Sequence, residues 1–378
     1  MPGDRVVPEA MDAVPIARLE ELLVHLAELR DPQTPINARL FDEVELQLND
    51  ANIPPLLDTV LLPLTQLLRS TSTSSRDPEP LLSMTAKLLG PLTFSRVLTL
   101  ADSTSILTAL RSPLPSANLL ALTMLHKAAR GPDDAALLST LPELVAALLT
   151  CWLDTESAAV TERAARVLGD LLRTDCVVVE DVATNGAFAA FPAEMFKRRV
   201  PGHGHLWNLI FGSEQLFAII PRLCRFASPD SEDNDADSPS RTERQISLAQ
   251  GRLLRILPRL AVFDLRAISQ TSFPELVPLP QNLARDTGHG LLQWAALAMI
   301  DLSDLLMHYN LIDFFQRFIS VMRVTNCGPP STTRVIRAVV KAATANDDLL
   351  KTRLTGFPDT LLEDEAEPLR TYIGQLLD

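Results

Sequence analysis

The sequence predicts an all-α protein, an α-solenoid of repeated helix pairs, and three observations carry that prediction. Residues 116–130 (SANLLALTMLHKAAR) overlay residues 159–173 (AVTERAARVLGDLLR) at an offset of about 43 residues, inside the range of HEAT and armadillo repeats. Ala117, Ala121, Met124, Leu125 and Ala128 then fall on Val160, Ala164, Val167, Leu168 and Leu171, one apolar stripe at helical spacing. The text upstream keeps the same offset, with Ile106 and Leu107 matching Leu149 and Thr150. Composition is the third observation: 47% of residues are apolar and only 5% aromatic, which suits Leu and Ala packed between helices better than a sheet.

Each element follows from local chemistry. A first helix is expected at 16–30, with Leu19, Leu22, Leu23, Leu26 and Leu29 on one face and Asp31-Pro32 as its stop. Its partner falls at 37–48. Pro54-Pro55 opens a third helix that runs to 68 with a kink at Pro63, and 70–80 is a polar connector. From 79 to 173 helices alternate with short breaks at Gly90-Pro91, 112–115, Gly131-Pro132 and 153–156, and no alternating strand pattern competes.

The stretch 175–204 is different. Cys176-Val177-Val178-Val179 reads as a short strand or a buried loop, while Lys197-Arg198-Arg199 and Pro201-Gly202-His203-Gly204-His205 read as irregular, exposed chain. An aromatic-rich helix resumes at Leu206. The acidic run SPDSEDNDADSPS holds no apolar residue larger than Ala236, so it cannot bury enough surface to order itself. Helices return at 244–260, 290–309, 311–322, 332–344 and 365–377. The expected organisation is a disordered N-terminus over 1–15, helical repeats over 16–227, an acidic disordered insertion over 228–241, and further helical repeats over 242–378.

Bulk properties narrow the function classes. A net charge of −13 repels a nucleic-acid backbone or an anionic membrane surface at long range, so direct nucleic-acid binding and membrane association are not expected. Cys151, Cys176, Cys224 and Cys327 form no CxxC pair and read as reduced thiols in an intracellular protein. The first residues show no apolar run after Arg5, and the longest apolar runs, such as 291–300, are too short to span a bilayer. The expectation is a cytoplasmic monomer with access to the nucleus.

Catalytic patterns are missing from the text. There is no Walker phosphate loop, no HExxH, no GxSxG and no complete dinucleotide fingerprint. Gly202-His203-Gly204 and Gly288-His289-Gly290 are fragments only, each without the preceding strand and the third glycine that a phosphate cradle needs, and His203 and His205 lack further ligands at metal spacing. Paired acids such as Glu20-Glu21, Asp133-Asp134 and Asp347-Asp348 sit where helix-dipole compensation explains them. No enzyme, cofactor or metal is expected.

The cations carry the functional reading. Opposite the apolar stripe of the helix ending at Arg173 stand Arg163, Arg166 and Arg173, with Lys127 and Arg130 at the matching positions of the preceding repeat. Arg252, Arg255 and Arg259 form a similar stripe, and so do Arg334, Arg337 and Lys341. On one helix such a stripe is an ordinary solvated face. Repeated on successive helices, it predicts a concave groove that takes an acidic or polar protein surface.

With the helix pairs, the irregular break and GHGHLWNLIFGSEQLFAIIPRLCRF in view, the chain resembles the fungal branch of the proteasome non-ATPase regulatory subunit 5 family, whose members often carry a DNA mismatch-repair name. The words that carry the resemblance are the Gly-rich break leading into Leu206-Trp207, Phe211, Phe217 and Ile219-Ile220. The resemblance implies a non-enzymatic chaperone for assembly of the proteasome regulatory particle base. Such a protein holds the C-terminal domain of one base ATPase on its concave surface and leaves before the proteasome matures. Two alternatives stand beside it: a helical-repeat scaffold or transport adaptor that binds a charged peptide, and a DNA mismatch-repair accessory protein.

Overall fold

A computed structural model describes residues 16–31, 33–71, 78–177, 201–226, 241–325 and 330–378. The expectations for 1–15, for Val178 and Val179, for Lys197-Arg198-Arg199, for the acidic run and for Cys327 lie outside the described residues. The chain is all-α: the described residues form nineteen α-helices and no strand, packed in pairs as in a helical-repeat solenoid. They fall into two compact units, Met1–Lys127 and Ala128–Asp378. The helices that flank the acidic run pack together within the second unit.

The first unit holds α1 (Leu19–Glu28), α2 (Ala38–Glu45), α3 (Leu62–Thr71), α4 (Glu79–Leu88), α5 (Phe94–Leu100), α6 (Ser103–Leu110) and α7 (Pro115–His126). Side-chain caps set several starts, because the first N–H groups of a helix have no partner within it. Asn37 accepts from the Leu40 N–H, Thr93 from Arg96, and Asp102 from Ser105. The Asp102 cap divides one expected helix into α5 and α6. Before α3 the chain forms a 3-10 turn at Pro54–Leu56 and a π turn at Leu57–Leu61. Pro63 has no N–H to donate and its ring crowds the carbonyl four residues back, so the expected kink takes the form of a widened turn. Helix α2 packs on α4, α4 on α7, and α6 on α7. The buried Asn118 side chain fastens the last pair by donating to the carbonyls of Ala109, Leu110 and Ser112 at 2.9–3.0 Å.

The second unit begins with α8 (Pro132–Ser139), α9 (Pro142–Asp154) and α10 (Ala158–Thr174), followed by α11 (His205–Gly212) and α12 (Glu214–Cys224). The aromatic-rich text thus forms two helices, because Ser213 is extended between them. The apolar stripe read from the repeat is buried in α10 at Val160, Ala164, Val167, Leu168 and Leu171. Ala121, Met124, Leu125 and Ala128 are buried as their counterparts, with Ala117 half-buried at the stripe's edge.

The centre of this unit is α13 (Glu243–Ser269), 27 residues long and started by a reciprocal capping box between Thr242 and Gln245. It packs against α9, α10, α12, α15 (Leu291–Leu297) and α16 (Leu305–Thr325). Helices α14 (Gln281–Thr287), α17 (Pro330–Thr344), α18 (Asp348–Gly356) and α19 (Glu363–Leu377) complete the unit. The helix expected at 290–309 is interrupted at 298–304, and α16 runs straight through Asn310, where a break was expected. The cause is Asp304, whose carboxylate accepts from the N–H groups of Leu306 and Met307 and so starts a helix there.

Two junctions explain the Gly-His-Gly fragments. Asp175, at the end of α10, is fully buried and accepts from the N–H groups of His205 (3.2 Å), Leu206 (2.7 Å) and Trp207 (3.2 Å). The N-cap residue of α11, Gly204, has no side chain, and the Asp175 carboxylate supplies the missing acceptor from thirty residues upstream of His205. Gly202 lies so close that a Cβ there would meet the Asp175 backbone at 2.2 Å, and Gly204 adopts φ 70°. The Trp207 indole N–H reaches the Leu172 carbonyl at 2.8 Å. Gly290 repeats the device at the end of α13, where a Cβ would meet the Ser269 carbonyl carbon at 2.3 Å, with Gly288 at φ 85°. Both fragments are therefore sites of close backbone approach between helices.

Candidate protein-binding surface

The cations read from the sequence separate into two groups once their surroundings are known. Lys127 is buried, not on an outward face, and its Nζ donates to the Gly90 carbonyl at 2.6 Å, past the end of α4. A helix ends with unpaired carbonyls, and a lysine is a suitable donor for the chain that leaves it. Arg130 is exposed, beside Asp134.

Arg252 and Arg259 also differ from the sequence expectation. Their stripe on α13 faces α9 and α10, which pack along it. The Arg252 guanidinium donates to the carbonyls of Trp152 (3.3 Å), Leu153 (2.8 Å) and Thr155 (2.6 Å), and so caps the C-terminal end of α9. Burial holds it below the ordinary guanidinium value, the nearby Asp154 acting in the opposite sense. Arg259 lies over Gly169 of α10, donates to Asp170 at 2.7 Å and stacks above the Phe263 ring at 5.8 Å. A Cβ at position 169 would sit 2.3 Å from the Arg259 guanidinium, so the glycine makes room for the arginine. Arg173 reaches the same Asp170 carboxylate at 3.2 Å.

The remaining three have another character. Arg166 and Arg255 are exposed and Arg163 is half-buried, and none of them makes an ion pair or hydrogen bond among the described residues. Arg255 lies between Arg252 and Arg259 in the sequence of α13. Burial lowers the Arg163 guanidinium value first, the neighbouring Arg166 lowers it further, and Asp170 opposes both. An arginine so shifted remains a cation at neutral pH. Arg163 and Arg166 are thus neighbours on α10, and Arg255 stands on α13, which packs against α10, between the tied Arg252 and Arg259 in sequence. Arg334, Arg337 and Lys341 are exposed on α17, with the Lys341 Nζ at the Asp378 carbonyl.

Among the described residues no three His, Cys, Asp or Glu side chains converge for a metal ion. His203 and His205 stack with ring centroids 5.6 Å apart, and His203 lies 3.3 Å from Asp133. Burial pushes the thiol of Cys151 up to about 11 and that of Cys224 up to about 12, so neither is a thiolate at neutral pH. No single helix among the described residues is long and apolar enough to cross a membrane; α8 and α9 pass that test jointly but are bent by 95°.

Sequence reasoning missed Gly169, Asp170 and Asp175. Gly169 gave a signal, since a glycine inside a helix costs about 1 kcal/mol against alanine and calls for a reason. Asp170 and Asp175 gave none, because their partners lie on other elements. No model of a known protein family matches the chain, and no curated protein matches it.

Proposed function

We propose that this chain is a non-enzymatic protein-binding scaffold whose working surface is the strip of Arg163, Arg166 and Arg255 on α10 and α13. The observation that carries the reading is that none of these three cations makes an ion pair or a hydrogen bond among the described residues, although they stand on helices that pack together. A guanidinium group offers paired N–H donors to carboxylates, and its planar fork loses less freedom per hydrogen bond formed than a lysine does. The occupant is then an acidic face of another protein. In a chain of net charge −13, such a strip also orients the partner as it approaches.

The resemblance supplies the specific partner: the C-terminal domain of a base ATPase of the proteasome regulatory particle, held during assembly. The test is calorimetric titration of that domain into the wild type and into the Arg163→Glu/Arg166→Glu/Arg255→Glu variant. The reading expects binding that weakens with salt and falls at least about tenfold in the variant. Unchanged binding by the variant removes the surface from the proposal. A wild type that ignores the ATPase domain removes the chaperone assignment and leaves the scaffold reading with an acidic peptide as its next probe.

A further inference from the structure

The interruption between α15 and α16 displays leucines where a helical protein normally hides them. All six residues from Asp301 to Leu306 are exposed, with Leu302 at 48%, Leu305 at 62% and Leu306 at 71%, and Tyr309 follows at 44%. On the first turns of α16, Tyr309 follows Leu305 by four residues and Leu306 by three, so these three share one face, and Leu302 is exposed in the turn that leads into it. Single exposed leucines are ordinary, whereas a contiguous group marks a contact surface.

The display is held in place by the fold. Asp301 accepts from the Ser303 N–H at 2.9 Å, and Asp304 accepts from Leu306 and Met307 at 2.9 and 3.2 Å. Met307 and His308, next in sequence, are buried. The His308 Nε2 lies 2.7 Å from Asp347, the residue that caps α18, so the first turn of α16 is tied to its neighbour. The leucines therefore stand on an anchored turn, and a partner that covers them does not have to order it first.

Charge selects the occupant. Between Arg285 and Arg317 the chain carries Asp286, Asp301, Asp304 and Asp313 and no lysine or arginine. Asp301 and Asp304 flank the leucines and are themselves exposed. Arg353, over the Tyr309 ring at 5.9 Å, is a cation at the edge of the patch, and Arg317 is paired with Asp313 at 2.9 Å. We infer that Leu302, Leu305, Leu306 and Tyr309 form a second docking site, separate from the arginine strip, for a partner-protein segment whose apolar side chains are flanked by lysine or arginine.

The experiment uses the full chain and two labelled helical peptides of one pattern, leucine with lysine and leucine with glutamate, read by fluorescence anisotropy. The inference expects the leucine–lysine peptide to bind and the leucine–glutamate peptide not to. It expects Leu305→Ser/Leu306→Ser to weaken binding at least about tenfold, and Asp301→Asn/Asp304→Asn, which keeps both caps, to weaken it less and to flatten its salt dependence. Equal binding by the serine variant, equal binding of the glutamate peptide, or no binding of the lysine peptide overturns it. Light scattering adds a fourth outcome: a wild-type dimer that the serine variant dissolves assigns the patch to a second copy of this chain and overturns the partner proposed.

Discussion

Replacing Asp175 isolates the junction between α10 and α11 from every other feature of the fold. In Asp175→Ala the N–H groups of His205, Leu206 and Trp207 lose their acceptor, and Leu206 and Trp207 are buried beyond ready reach of water. A buried donor left unpaired costs about 1–3 kcal/mol, and two donors are buried here, so a net loss of about 2–4 kcal/mol follows, at or above the top of the range of about 0.5–2 kcal/mol for an N-cap. For a unit of this size that corresponds to a fall in melting temperature of roughly 5–15 °C. Asp175→Asn retains an acceptor oxygen at the same place and should lose less than half as much.

The carboxyl adds a pH signature. Burial raises Asp175 above the ordinary aspartate value, while the N–H groups of Trp207, Leu206 and His205 pull it down. The folded chain therefore holds this proton more tightly than the unfolded chain does. Stability falls as pH rises from the ordinary aspartate value through the raised one, and Asp175→Asn removes that slope. Denaturant melts of the three proteins across acid pH measure both effects. If alanine leaves the midpoint unchanged, or asparagine is as damaging as alanine, the capping account fails.

Three further outcomes are expected. Gly202→Ala and Gly290→Ala each place a Cβ within 2.2–2.3 Å of backbone and should lower the melting temperature by several degrees, whereas Gly212→Ala, with nothing within 4 Å, should not. Arg252→Ala leaves the end of α9 without its donor and should cost about 1–3 kcal/mol in urea melts, against about 0.5 kcal/mol or less for the exposed Arg255→Ala. Cys151 and Cys224, raised to about 11 and about 12, should resist iodoacetamide at pH 8 in the native protein and react after denaturation, as read by peptide mass spectrometry.

What the sequence showed and what it hid divide along the distance between partners. The stripe from Val160 to Leu171 was legible because helical spacing alone decides which residues share a face, and all five are buried. The cap at Asp102 went unread, and the helix it divides was expected to be continuous. The fate of the arginines was not legible, because lying opposite one apolar stripe does not make a face outward when the helix has neighbours on several sides. That is the position of α13, whose Arg252 serves α9 and whose Arg259 serves α10. Gly202 and Gly290 looked like fragments of a phosphate cradle because close approach needs glycine whether the visitor is a phosphate or another backbone.

The Asp175 junction gives the chain a port. The Gly202 N–H meets the Cys176 carbonyl at 2.8 Å and the Gly204 N–H meets the Asp175 carbonyl at 2.9 Å, so the path that leaves α10 returns to the point of departure before α11 begins. Whatever polypeptide joins those two points adds nothing to the span the helices must bridge. Doubling the length of a flexible insert costs only about 0.6 kcal/mol, so an experimenter can splice a reporter domain in at this point while α10 and α11 keep their seat.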